Sequence, residues 1–170
     1  MEVGRRTCDD CNECCFVLGV RELEKVPFCE CKRDAKHYKG LRHIGCGRYE
    51  DRPDSCKAFS CMWLEGLGAP EWKPSKIGVV FEAVVTSRIG KFIQVSARSD
   101  AAVNTTLMHD AVNFYINVFG ADAALVKLPG GVRRILGPPD KTAKLIEALE
   151  KLRKPTFRRA KKNRRRKPEL

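Results

Sequence analysis

The residues of this chain best equipped for chemistry are its nine cysteines, at positions 8, 11, 14, 15, 29, 31, 46, 56 and 61, and the 109 residues after Cys61 contain none. In Cys8-x-x-Cys11-x-x-Cys14-Cys15, three-residue steps on a helix or tight loop bring sulfurs to one side, where thiolates grip a soft ion or cluster. Cys29-x-Cys31 and the trio Cys46, Cys56 and Cys61 complete the set of nine candidate metal ligands. An odd number of cysteines cannot all pair as disulfides, and the opening MEVGRRTCDD lacks the apolar run of a secretory signal. Reduced thiols in a cytoplasmic protein are therefore the expectation. Zinc is the first metal expected, because four thiolates make a closed tetrahedral site. Iron, as an iron–sulfur cluster, suits the same spacing and is the alternative. Cys14 and Cys15 are neighbours whose side chains should diverge, so one of them is expected to serve a second metal or a core position. His43 stands three residues before Cys46, but isolated histidines are more often surface or capping residues, and it stays outside the ligand set.

Short elements must carry these thiols. In RYEDRPDSCKAFSCMW, Asp51 as a cap and Pro53 in the first turn predict a short helix that turns Cys56 and Cys61 inward, with Phe59 and Trp63 beside them. Arg52, just before it, can neutralise thiolate charge or donate to sulfur; a plain helix-start arginine is the alternative. Residues 1–74 hold fewer large apolar side chains than residues 75–154. Such a segment offsets its chain entropy only if cross-linked, and metal is the cross-link expected.

The run CDDCNECC, together with the element made by Cys46, Tyr49, Arg52, Pro53, Cys56 and Phe59 and the ending Cys61-Met62-Trp63, resembles the YkgJ-type cysteine-cluster family. That family is described as a zinc- or iron-chelating domain and is named for its CxxCxxCC signature. The resemblance spans about residues 7–74; Asn12 stands where the family often has glycine. It implies metal chelation, with Tyr49, Arg52, Pro53 and Phe59 supporting the ligands. Some relatives with similar signatures are flagellin lysine methylases, so an iron–sulfur protein with a redox or enzymatic, methylase-like role is the alternative by analogy.

Beyond the cysteines, Ile77–Val85 and Phe92–Ser96 flank the turn SRIGK as a hairpin. Ser99 and Asp100 are cap types for an amphipathic helix of about 18 residues ending at Gly120, with Val103, Leu107, Phe114, Tyr115 and Val118 as its apolar positions. Ala124–Leu128 and Val132–Leu136 flank Pro129-Gly130-Gly131 as a second hairpin. Asp140 is expected to cap a final helix striped by Leu145, Ile146, Leu149 and Leu152. The fold class expected is α+β: a cysteine-rich, metal-stapled half of short helices and loops (1–74), a two-hairpin, two-helix part (75–154) and a disordered basic tail (155–170).

Charge is as uneven as cysteine. The chain carries 33 basic and 21 acidic residues, a net +12, yet 11 of the basic residues lie in 151–170 beside one acid, Glu169. That segment is +10 and the remainder +2. Arg158, Arg159, Lys161, Lys162, Arg164, Arg165, Arg166 and Lys167 could neutralise phosphates of RNA or DNA, or simply solubilise the chain. No aromatic residues interleave with them, which argues against a sequence-reading module. No run approaches the roughly 18 apolar residues of a membrane span. No nucleophile elbow, phosphate loop, dinucleotide fingerprint or HExxH pattern occurs, so no catalytic residue is assigned. The acids near the cysteines, Asp9, Asp10, Glu13, Glu50, Asp51 and Asp54, are read as a solvated face. The functional expectation is a cytoplasmic metal-binding protein whose metal is structural; an iron–sulfur protein and a zinc-stabilised RNA- or DNA-binding adaptor are the alternatives.

Overall fold

A computed structural model describes residues 6–8, 11–20, 22, 27–28 and 52–153. In chain order its elements are α1 (Glu13–Val17), α2 (Asp54–Ala58), a 3-10 turn at Pro70–Trp72, α3 (Pro74–Ile77), β1 (Val79–Thr86), β2 (Gly90–Ala97), α4 (Asp100–Val103), α5 (Thr106–Phe119), β3 (Ala124–Lys127), β4 (Arg133–Leu136) and α6 (Pro139–Arg153). Cys29, Cys31, Cys46, Tyr49, Asp51, His43 and the tail from 155 onward lie outside the described residues.

Both expected hairpins form, and the molecule is α+β. β1 pairs antiparallel with β2, from Val79 opposite Ala97 to Thr86 opposite Gly90, and the Thr86 hydroxyl accepts the Ile89 N–H at 3.0 Å inside the turn. β3 and β4 make the second antiparallel pair. The two hairpins are one sheet, ordered β1-β2-β3-β4, because β2 and β3 run parallel. Parallel neighbours need a crossover, and α4 and α5 provide it.

That crossover is two helices where the sequence predicts one. The Ser99 hydroxyl accepts the Ala102 N–H and starts α4; the Thr105 hydroxyl accepts the Met108 N–H at 3.2 Å and starts α5. The second cap resets the helical phase. Met108, Ala111, Val112, Tyr115 and Ile116 therefore face the core, while Leu107, Phe114 and Val118 from the expected stripe remain exposed. α6 begins two residues earlier than expected, at Pro139. The Pro138 carbonyl accepts the Lys141 and Thr142 N–H groups, so Asp140 sits within the first turn, where its charge suits the helix dipole. Leu145 is buried and Leu149 packs beside it, but Ile146 is exposed.

Strand alternation divides the sheet into two faces. One carries Val79, Phe81, Ile93, Val95, Ala124 and Val126 into the main core beneath α5, and that core includes Met62 and Ile77. The other face changes along its length. Val84, Phe92, Leu125 and Ile135 pack with Leu145 and Leu149 of α6, whereas Glu82, Gln94, Ser96, Lys127 and Arg133 line a cavity. Val80 reaches the cysteines. No described helix is long and apolar enough to cross a membrane.

Candidate metal centre

In the signature CxxCxxCC, the last two cysteines stand on a single turn of helix, α1. The Cys11 N–H donates to the Cys8 carbonyl; beyond Asn12, which precedes α1, the Leu18 N–H donates to the Cys14 carbonyl at 3.0 Å. Five residues are too few to hold a helix in water alone. Its anchor is Glu13, whose side chain is fully buried: Arg98, just past β2, donates from Nε to Oε1 at 3.0 Å and from Nη2 to Oε2. The Arg98 guanidinium also lies 5.3 Å from the Phe16 ring centre. Burial raises the Glu13 pKa, and the Arg98 hydrogen bond and charge oppose that rise. Glu13 thus departs from the solvated face expected of the acids, because the three-residue step that turns cysteines to one side turns it toward the sheet.

The opposite wall is α2 and the loop after it. Pro53, expected in the first turn, is instead the N-cap, with ψ at 155° and no hydrogen-bonding side chain to offer the helix. Glu22 supplies one from a distance, accepting the Ser55 N–H at 3.0 Å and the Ser55 hydroxyl at 2.8 Å. Cys56 lies within α2, and Cys61 lies beyond its end. Arg6 holds the next turn of chain. It donates to the carbonyls of Trp63, Leu67 and Gly68 at 2.8, 2.7 and 2.6 Å and stacks 4.9 Å from the Trp63 ring centre. Gly68 has φ +79°, and a Cβ there would stand 2.5 Å from the Trp72 ring and 2.9 Å from the Tyr115 hydroxyl. Only glycine fits that approach.

Between these walls, Cys8, Cys11, Cys14, Cys15, Cys56 and Cys61 line one cavity of about 140 Å³, with Arg52 and Phe59 also on its lining. Six of the nine expected ligands are brought together, and none is in a disulfide. Cys14 and Cys15 both line the cavity, with a hydrogen bond between their side chains. That bond, then burial and the charges of Cys15, Cys11 and Cys8, raise the Cys14 pKa. Burial pushes Cys61 up to about 11, with Cys11 and Cys8 adding to the shift. Burial also raises Cys56, followed by the charge of Cys15, while Ser55 and Arg52 act in the opposite direction. Arg52 lies on the lining of the cavity, and the structure leaves its charge-compensating and plain helix-start readings side by side. Phe59 lines the cavity and Pro53 caps the helix that bears Cys56.

The donor set fits a soft cation. Several thiolates in one desolvated space repel one another, and a bound ion or cluster stabilises the deprotonated set. Among the described residues, no group of three or more His, Cys, Asp or Glu side chains is already drawn in as a metal site. The cavity therefore gathers the thiols without closing them onto a point. Sequence reasoning missed Arg6, Glu22 and Arg98 and misplaced Glu13. The nearest signal was Arg6, two residues before Cys8; the pairing of Glu13 with Arg98 spans 85 positions and leaves no local trace. No family model, curated protein or solved structure matches the chain.

Proposed function

We propose that the protein is a cysteine-ligated metal-binding protein in which Cys8, Cys11, Cys14, Cys15, Cys56 and Cys61 hold the metal and Cys29, Cys31 and Cys46 are further ligands. The observation that carries this reading is six thiols on the lining of one cavity. Zinc is the first metal proposed: bound by four thiolates it is redox-inert and acts as a cross-link between the turn before α1 and the loop after α2. The likeness of CDDCNECC to the YkgJ-type signature supports the same chemistry. Arg6, Arg98 and Glu22 position the two walls, and Arg52 offsets thiolate charge.

An iron–sulfur cluster is the second reading. It is favoured by the number of thiols on one lining, more than a single tetrahedral ion takes up, and it would supply electron transfer. A cytoplasmic, reducing setting suits either metal. Binding of RNA or DNA through residues 158–167 is a separate proposal that rests on charge alone.

The test is substitution of one cysteine from each wall. Cys11→Ser and Cys56→Ser are each expected to lower metal stoichiometry and to weaken the cysteine side of the molecule. Full metal content and unchanged melting in both variants would overturn the ligand assignment.

A further inference from the structure

The second large cavity lies against the sheet face that α6 leaves uncovered, and its volume is about 600 Å³. Its floor is a polar row running across all four strands: Glu82 of β1, Gln94 and Ser96 of β2, Lys127 of β3 and Arg133 of β4. The register makes the row contiguous, since Glu82 pairs with Gln94, Ser96 with Lys127 and Lys127 with Arg133. The row runs from buried Ser96 through half-buried Glu82, Gln94 and Lys127 to exposed Arg133, so polar side chains reach from the rim into the sheet.

The side chains are already oriented. The Gln94 amide donates from Nε2 to Glu82 Oε2 at 2.7 Å, and its Oε1 accepts from Lys127 Nζ. Lys127 therefore reaches the one carboxylate of the row through an amide, and two of its three ammonium donors remain to serve something else. Arg133, exposed at the rim, makes no side-chain hydrogen bond or ion pair among the described residues. Burial, and then the charge of Arg133, lower the Lys127 pKa, and the charge of Glu82 opposes them without reversing the shift. Two cations thus face one cavity on whose lining, among the described residues, Glu82 is the one carboxylate.

We propose that this cavity binds a small molecule through an anionic group, a carboxylate or a phosphate, with Lys127 and Arg133 as the recognising cations and Gln94 and Ser96 as the polar groups that orient it. Leu18, Gly19 and Phe59 line both this cavity and the cysteine cavity, so the bound molecule sits one side-chain layer from the thiols. The assignment does not depend on which metal those thiols hold, or on whether they hold one.

The experiment is a titration of the full chain with inorganic phosphate and, separately, with succinate at constant ionic strength, read by amide NMR shifts. Saturating shifts at Gly130, Gly131 and the Gln94 side-chain amide are expected with at least one anion, and the anion that binds more tightly distinguishes phosphate from carboxylate. Lys127→Met and Arg133→Gln should each weaken binding by about ten-fold, the loss of one charge-assisted hydrogen bond. Arg133→Gln lies on the exposed rim and decides the matter if Lys127→Met does not fold. Shifts confined to the residues after 153, no saturation with either anion, or unaltered affinity in folded Arg133→Gln would each overturn the proposal.

Discussion

Two cavities meet at Leu18, Gly19 and Phe59, and their linings are chemical opposites. One collects six thiols and suits a soft cation. The other collects Lys127, Arg133, Gln94 and Ser96 beside Glu82 and, as proposed, takes an anion. A single sheet face serves both, because its outward positions change from Val80 through Glu82 to Val84 along β1. The walls also differ in what holds them. The face under α5 is secured by buried Phe81, Ile93, Val95, Met108 and Tyr115, whereas among the described residues the cysteine side has charged contacts over long sequence separations: Arg6 to the Trp63–Gly68 carbonyls, Arg98 to Glu13 and Glu22 to Ser55. Hydrophobic area stabilises the first without regard to direction. The second depends on a few directed bonds and, as proposed, on metal.

Withdrawing the metal should separate the two regions most strongly. A closed thiolate site contributes on the order of 10 kcal/mol, so chelation under reducing conditions should remove hydrogen-exchange protection from Leu18 and Cys15 while the β2 amides keep theirs. Equal loss in both regions would mean that they unfold as one unit.

Next in size is the clamp on α1. Arg98→Ala leaves the buried Glu13 carboxyl without its partner and should destabilise by about 3 kcal/mol. Pairing it with Glu13→Gln should recover part of that loss, which a thermodynamic cycle of the single and double variants would measure. Gly68→Ala should cost about 2 kcal/mol, from positive φ and the contact with Trp72 and Tyr115, read as a lower denaturant midpoint.

Tyr115 sharpens the comparison from the apolar side. Its hydroxyl donates to the Leu67 carbonyl at 3.1 Å, and burial raises its pKa, with the charge of Cys61 adding to the shift. A phenol whose pKa is higher folded than unfolded stabilises fully below the unfolded value of about 10, and that contribution is lost as pH rises through the folded value. The melting temperature of the wild type should therefore fall more steeply above pH 10 than that of Tyr115→Phe, which at neutral pH should cost only about 1 kcal/mol. Parallel curves would show that the phenol does not govern alkaline unfolding. The smallest effect is expected of Ser55→Ala, about 0.5 kcal/mol, since the Glu22 carboxylate keeps the backbone N–H and the contact is exposed.

How far the sequence disclosed this arrangement depended on how local each cause was. β-branched runs around SRIGK and Pro129-Gly130-Gly131 marked both hairpins, because strand alternation and turn chemistry are written within a few residues. The break at Asn104–Thr105 was equally local, and Thr105 was a cap passed over in favour of the longer periodic pattern. The parallel pairing of β2 with β3 was not legible, since it arises from docking the crossover helices. The cysteine cavity was legible in its membership, through spacing. Its supports were not: Glu13 looks like any acid in an acidic stretch until Arg98 meets it. The polar row was hidden for the same reason, as each of its members lies in an otherwise ordinary strand and only the register assembles them.

The central claim is that the thiol-lined cavity holds metal, and elemental analysis with a visible spectrum tests it most directly, on full-length protein purified without oxygen and without a histidine tag. The account predicts zinc near one or two per chain without colour, or iron with acid-labile sulfide and absorption near 400 nm, roughly where thiolate-bound clusters absorb. Protein that is folded, fully reduced and metal-free after such purification, and that takes up neither metal on reconstitution, would contradict it.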